Sequence, residues 1–207
     1  IQPEEKLISL PGRESISCEK LILTTGSHPY VPSLQGTSLA GVFTLRTSRD
    51  ADHILEQVKN GCRTVVIGGG ILGLETAGAL ARQGADITLL ESHNWLMPRQ
   101  LNQKGGELLE RHTARIGVKI IKNARTSEII GDKKVAGVLL QDGRKIPAGI
   151  VVLATGVRPN TSLARKSGIE VNNGIVVDNH LRTSLPEIFA AGDVAEHNGL
   201  LYGSWAA

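Results

Sequence analysis

Aromatic residues are scarce: Phe, Trp and Tyr together make up 3% of the 207 residues. A stacking platform for single-stranded nucleic acid needs several of them on one face, so that class of function is disfavoured. The core must instead be built from Val, Ile, Leu and Ala, which suits buried parallel strands. Cysteine is equally sparse. Cys18 and Cys62 stand far apart, with neither the spacing of a zinc site nor the density of a disulfide framework. Reduced thiols in the cytoplasm are the expectation. No apolar run approaches the roughly 18 residues of a membrane-spanning helix, and no signal peptide is visible. The chain opens at Ile1 without a methionine, which leads us to expect a piece of a larger protein. Long blocks of like charge are also lacking. The net charge is +3 and the basic residues are scattered, so the surface reads as solvated rather than as a nucleic-acid face.

What is present is a pattern of short β-branched runs broken by glycine. Lys6 to Leu10 and Lys20 to Thr24 read as strands separated by a Pro11-Gly12 turn. A Gly- and Pro-punctuated connector, Thr25 to Pro32, follows. Asp50 to Asn60 has helical periodicity through Ile54, Leu55 and Val58, with Ser48 as the expected cap. Then comes the clearest unit. Arg63 to Ile67 is a buried strand, Gly68-Gly69-Gly70-Ile71-Leu72-Gly73 is a glycine turn, and Leu72 to Gln83 is an Ala-rich helix closed by Gly84. Asp86 to Leu90 forms the second strand and ends at Glu91. Such a βαβ unit crosses over with a right hand. Asn102 to Ile116 reads as a further helix and Val118 to Ile121 as a third parallel strand. Thr126 to Ile130, Val135 to Leu140 and Lys145-Ile146 read as a β-meander, and Gly149 to Leu153 as another parallel strand. A helical turn near Leu163, a strand at Gly174 to Val177 and one at Ile188 to Ala190 complete the pattern.

A G-x-G-x-x-G alone is weak evidence, and a purely structural turn is the alternative. Here it follows a strand, opens a helix and has an acidic residue about 20 positions on. Gly68 permits the tight turn, Gly70 lets the backbone approach a pyrophosphate, and Gly73 lets the helix pack close to the strand. The helix N-terminus offers unpaired N–H groups and partial positive charge to phosphates. Glu91 is placed to accept from ribose hydroxyls and to repel a 2′-phosphate. Ser92-His93-Asn94 supplies no arginine to hold one, so NADH is favoured over NADPH.

Four blocks in this order resemble the FAD-dependent pyridine-nucleotide oxidoreductases: Leu23 to Pro29, Gly68 to Glu75, Val152 to Asn160, and Ile188 to Asp193. Phe43 to Thr47 with Asp50-Ala51, Met97 to Leu101, and the closing Leu201 to Trp205 look like the branch holding nitrite reductase large subunits and rubredoxin and ferredoxin reductases. The resemblance implies a Rossmann-like α/β fold, with a parallel sheet and a β-meander in a three-layer ββα arrangement. It implies a remnant of an FAD-binding domain at 1–45, an NADH-binding domain at 46–157, and a return segment of the FAD domain at 158–207. It places Gly68, Gly69, Gly70, Ile71, Leu72, Gly73, Glu75, Glu91, Thr155, Gly156 and Val157 at NADH, and Thr24, Thr25, Gly26, Arg46, Gly192 and Asp193 at FAD. Thr24 stands where the family usually has alanine. Hydride would pass from NADH to flavin, and electrons to an acceptor protein or a linked redox domain. Relatives commonly dimerise through a domain that would follow Ala207, so a homodimer is compatible. The chain carries one glycine fingerprint where the family has two, so FAD is expected in the parent protein, and an NADH-binding module without catalysis is the alternative. A redox-active cysteine pair would lie before Ile1. No thioredoxin-reductase CxxC occurs, and the six histidines show no ligand spacing.

Overall fold

The computed structural model describes residues 1–58 and 61–201. Their contacts divide the chain into two compact units. One is Pro29–Gly156; the other joins Ile1–His28 to the segment from Val157 onward.

The first stretch holds β1 (Leu7–Ile8), β2 (Ile16–Ser17), β3 (Leu21–Leu23) and β4 (Ser27–Pro29). The middle of the chain holds β5 (Val42–Thr44), α1 (Ser48–Val58), β6 (Thr64–Ile67), α2 (Ile71–Arg82), β7 (Ile87–Leu90), α3 (Gln103–Arg115), β8 (Val118–Ile121), β9 (Thr126–Gly131), β10 (Val135–Leu140), β11 (Lys145–Pro147) and β12 (Ile150–Leu153). The return segment holds β13 (Val157–Pro159), α4 (Ser162–Lys166), β14 (Ile175–Val176), β15 (Ile188–Ala190), a 3-10 turn at Gly192–Val194, β16 (Ala195–His197) and β17 (Leu200–Leu201).

In the middle unit a five-stranded parallel sheet runs in the order β5-β12-β6-β7-β8. Every residue of β6 and β12 is buried, because both faces of the sheet are covered. On one face Val66, Leu89 and Val152 pack with Ile54 and Val58 of α1 and with Ala77 and Leu80 of α2. On the other face Val65, Ile67, Val151 and Leu153 pack with Ile129, Val138 and Leu140. Those residues belong to the antiparallel meander β11-β10-β9. The three layers expected from the sequence are therefore present. Each fully buried aliphatic side chain contributes about 1.5–3 kcal/mol.

Several local details depart from expectation. α1 begins at Ser48, and Thr47 caps it rather than Ser48: Thr47 Oγ1 accepts from the Asp50 amide (3.2 Å), and Asp50 Oδ2 accepts from the Thr47 amide (2.8 Å). This reciprocal pair satisfies two otherwise orphaned donors. Asn60, the expected helix end, lies outside the described residues. Asn102 is the N-cap of α3 rather than its first residue, accepting from the Gly105 amide at 3.0 Å. β5 joins the parallel sheet by pairing with β12. By contacts the chain divides between His28 and Pro29, whereas the boundary implied by the resemblance lies at 45/46.

The other unit has its own core around Leu23, Ala164, Ile175, Ile188, Ala190 and Val194. Here β3 pairs in parallel with β15, β13 pairs with β4, and β16 lies between β14 and β17. β2, β16 and β17 carry no periodicity long enough to be read from sequence. Among the described residues no helix is long and apolar enough to cross a membrane.

Candidate functional site

In the middle unit the chain leaves β6 toward β7 and β8 on one side, while β12 lies on the other. The crevice beyond the carboxyl ends of β6 and β12 is thus the point where strand order reverses, the usual ligand position in an open α/β sheet. The glycine turn lies at this place. Gly68 has φ +117, and a Cβ there would collide with the Ala154 carbonyl oxygen at the end of β12. Gly73, in the first turn of α2, would place a Cβ against the Gly68 carbonyl oxygen. Two glycines therefore close the turn against its neighbours. Gly70 differs: nothing lies within 4 Å of a Cβ built there. It is the N-cap of α2 and offers no side-chain cap, so the first amides of the helix, at Ile71, Leu72 and Gly73, are left for a ligand or water. The side chains of Ile71 and Leu72 are not needed for this, and Leu72 is exposed.

Glu91 is buried, with 6% of its surface exposed. Its Oε2 accepts from the Gly69 amide at 2.9 Å, and its Oε1 accepts from the His93 amide at 2.8 Å and from Ser92 Oγ at 3.2 Å. The carboxylate expected to meet the ribose thus also ties the glycine turn to the end of β7. Each carboxylate oxygen can accept more than one bond, so acceptor capacity remains. His93 Nδ1 sits 2.8 Å from Oε1. Leu96 is fully buried beneath the turn, and Trp95 Nε1 donates to the Leu101 carbonyl at 3.0 Å. This fixes the segment after Glu91.

Across the crevice, Thr155 Oγ1 donates to the Tyr30 carbonyl (2.7 Å), and the Tyr30 amide donates to the Gly156 carbonyl (2.8 Å). Gly156 has φ +105 and open space where a Cβ would be. Gly68 to Gly73, Glu91, Thr155 and Gly156 therefore converge in one unit. Glu75 is exposed one turn into α2 and has no hydrogen-bond or ion-pair partner among the described residues. Arg46 also belongs to this unit; its amide donates to Asp50 Oδ2 at 3.0 Å. Val157 begins the other unit and is exposed.

That other unit gathers the remaining expected residues at the carboxyl ends of two adjacent parallel strands. The Ala191 amide donates to the Leu23 carbonyl (3.1 Å), which sets Thr24-Thr25-Gly26 beside Gly192-Asp193. Ser27 Oγ donates to Asp193 Oδ2 at 2.7 Å. Gly192 has φ +77 and open space at its Cβ position. This carboxylate and the uncrowded glycine fit one part of a flavin dinucleotide site. Thr25 and Asn160 are doubly bonded: Thr25 Oγ1 donates to the Asn160 carbonyl (2.9 Å), and Asn160 Nδ2 donates to the Thr25 carbonyl (2.8 Å). Ser27, Tyr30, Ala154 and Asn160 are supporting residues that sequence reasoning did not single out. Ser27, Ala154 and Asn160 lie inside the blocks it quoted, which was the available signal.

Glu196 carried no signal at all. It is buried, accepting from the Gly174 amide (2.7 Å) and from Asn172 Nδ2 (2.8 Å). The Gly174 amide, more than any other group, holds its carboxyl below the usual glutamate range. Asp50 is lowered likewise, first by the Thr47 amide and then by the Arg46 amide. Both are structural carboxylates.

Nitrite reductase [NAD(P)H] of Bacillus subtilis is 41% identical over 203 residues, which cover 98% of this chain and 25% of that protein. The biphenyl dioxygenase system ferredoxin–NAD(+) reductase component of Paraburkholderia xenovorans is 34% identical, over 87% of this chain and 44% of its own length. The chain thus spans a quarter to under half of these curated relatives. Among solved structures, the reductase in the covalent putidaredoxin reductase–putidaredoxin complex superposes with TM-score 0.91 at 29% identity, over 99% of this chain and 52% of the other. An engineered water-forming NADPH oxidase bound to NADPH gives TM-score 0.81 at 27% identity, over 94% of this chain and 44% of the other. Five substitutions distinguish it from its parent: at a glycine, an aspartate, the alanine and methionine that follow, and a proline. The parent, from Lactobacillus brevis, is a water-forming NADH oxidase bound to NADH. The closing Leu201 to Trp205 block lies outside the described residues beyond Leu201. Residues 1–206 match the pyridine nucleotide-disulphide oxidoreductase family, and the chain belongs to it.

Proposed function

We propose that this chain is the NADH-binding portion of an FAD-dependent oxidoreductase that takes hydride from NADH and delivers electrons to a redox acceptor. The observation that carries this reading is the open Gly70 at the head of α2, facing the strand-reversal crevice with the Glu91 carboxylate beside it. The pyrophosphate would lie against the amides of Gly70 to Gly73, which need no side chain and cost no reorganisation. The adenosine ribose would meet Glu91, and Thr155-Gly156 and Glu75 would border the nicotinamide. In the other unit Thr24, Thr25, Gly26, Gly192 and Asp193 would hold FAD. FAD, when bound, supplies the hydride acceptor. The protein contributes position, and no general base is required.

NADH is preferred over NADPH. Gly73, Glu91, Ser92, His93 and Pro98 stand at the same sequence intervals as the five positions exchanged in the engineered NADPH oxidase. A glycine, an acid and a proline occupy three of them here, as in its parent. The acceptor is of the nitrite reductase or ferredoxin and rubredoxin type, either a separate protein or a linked redox domain. A homodimer is compatible with the reading. The location is the cytoplasm, in keeping with the free thiols of Cys18 and Cys62. The single glycine fingerprint favours a second reading, an NADH-binding module that does not itself turn over. Flavin absorbance near about 450 nm in the purified protein separates the two. A colourless protein that binds NADH supports the second. Failure to bind NADH, with Glu91→Ala changing nothing, overturns both.

A further inference from the structure

The His93 ring is placed where it bears on the choice of nucleotide. Its Nδ1 lies 2.8 Å from Glu91 Oε1, while 61% of the side chain is exposed, against 8% for Glu91. Glu91 is fixed by the Gly69 and His93 amides, so its charge does not move away. Among the described residues the other side chain within reach of the ring is Ser92, with Oγ 3.3 Å from Nδ1. The neighbouring segment after β8 meets His93 through its backbone, the Asn123 amide donating to the His93 carbonyl at 3.0 Å. The cation next to Asn123, Lys122, is engaged by Glu110 at 2.7 Å. Glu91 is therefore the one ionised group paired with the ring among the described residues, and Nε2 is left without a partner there.

We propose that His93 makes the nucleotide preference of this site depend on pH, admitting a 2′-phosphorylated nucleotide when the imidazole is protonated. This rests on the reading of the crevice as an NADH site. With His93 neutral, the Glu91 carboxylate stands alone and repels a 2′-phosphate. With His93 protonated, Nδ1–H bonds Glu91 and offsets its charge, and Nε2–H becomes a cationic donor facing outward. Histidine is the side chain that makes this change across the ordinary range of pH. NADH carries no 2′-phosphate, so its affinity gains little from the same proton.

The test is to titrate the full chain with NADH and NADPH at pH 8 and pH 6 and to follow the ratio of the two dissociation constants. The discrimination against NADPH should narrow by about tenfold at the lower pH. In His93→Gln the ratio should stay wide at both values. In His93→Arg, which carries a fixed charge, it should be narrow at both. Binding of NADH with a ratio that does not change with pH, or that changes equally in His93→Gln, overturns this proposal and leaves the NADH site standing. Absence of NADH binding at either pH overturns the site itself and this proposal with it.

Discussion

Three glycines of one turn have three different surroundings, and they should respond differently to one added methyl group. At Gly68 the backbone is left-handed and the Ala154 carbonyl blocks a Cβ. Gly68→Ala should therefore lower stability by about 3 kcal/mol, read as a shift of the urea midpoint. Gly70 has ordinary φ (−80) and open space. Gly70→Ala should change stability by less than about 1 kcal/mol. It should still weaken NADH at least about tenfold, because the methyl group occupies the pyrophosphate approach. Equal losses of stability in the two variants would contradict this division. The motif alone announced both residues. That Gly69 answers to Glu91 was not legible, because a hydrogen bond between residues 22 positions apart depends on β6 and β7 lying side by side.

Elements show where local chemistry decided and where packing did. The capping pair Thr47 and Asp50 starts α1, and Thr47→Ala should cost about 1 kcal/mol, measured by chemical denaturation. The sequence pointed to Ser48, and the reciprocal bond to Asp50 shows that its neighbour Thr47 is the cap. Glu196 acts at the scale of β14 and β16, holding the Gly174 turn against the latter. Its folded carboxyl titrates below its ordinary value of 4.5, so its contribution is full above that value and is lost as pH falls through the lower folded value. Stability of the wild-type chain should thus fall more steeply below pH 4.5 than that of Glu196→Gln, as followed by urea midpoints across the acid range. Parallel slopes would mean that Glu196 is not the titrating group. Nothing in its neighbourhood in sequence marks Glu196 as buried, since its partners come from a segment more than 20 residues earlier.

For the whole molecule, the two units have separate cores, and the residues expected at NADH, other than Val157, belong to the unit Pro29–Gly156. A ligand that binds only the folded state stabilises it by mass action. NADH at 100 times its dissociation constant should therefore add about 2.7 kcal/mol, seen as a rise in the thermal midpoint. In hydrogen exchange, the added protection should fall on the carboxyl ends of β6, β7 and β12 and on the first turn of α2. Protection spread evenly along the chain would argue for binding elsewhere.

The sequence by itself determined the layers. Aliphatic runs of four residues between glycines can be buried strands, their spacing requires parallel crossovers, and the meander announces itself by its turns. It also supplied the proposed nucleotide site, because a strand, a glycine turn, a helix and an acid at fixed intervals suit the approach of a dinucleotide. Tertiary structure decided what lies beside what. The order β5-β12-β6-β7-β8 brings Thr155-Gly156 next to a turn more than 80 residues earlier and sets the Ala154 carbonyl where Gly68 must lack a side chain. It also turns Glu91 into a brace for Gly69 and puts His93 on its other oxygen. Such contacts follow from strand register and close packing, which no local pattern encodes.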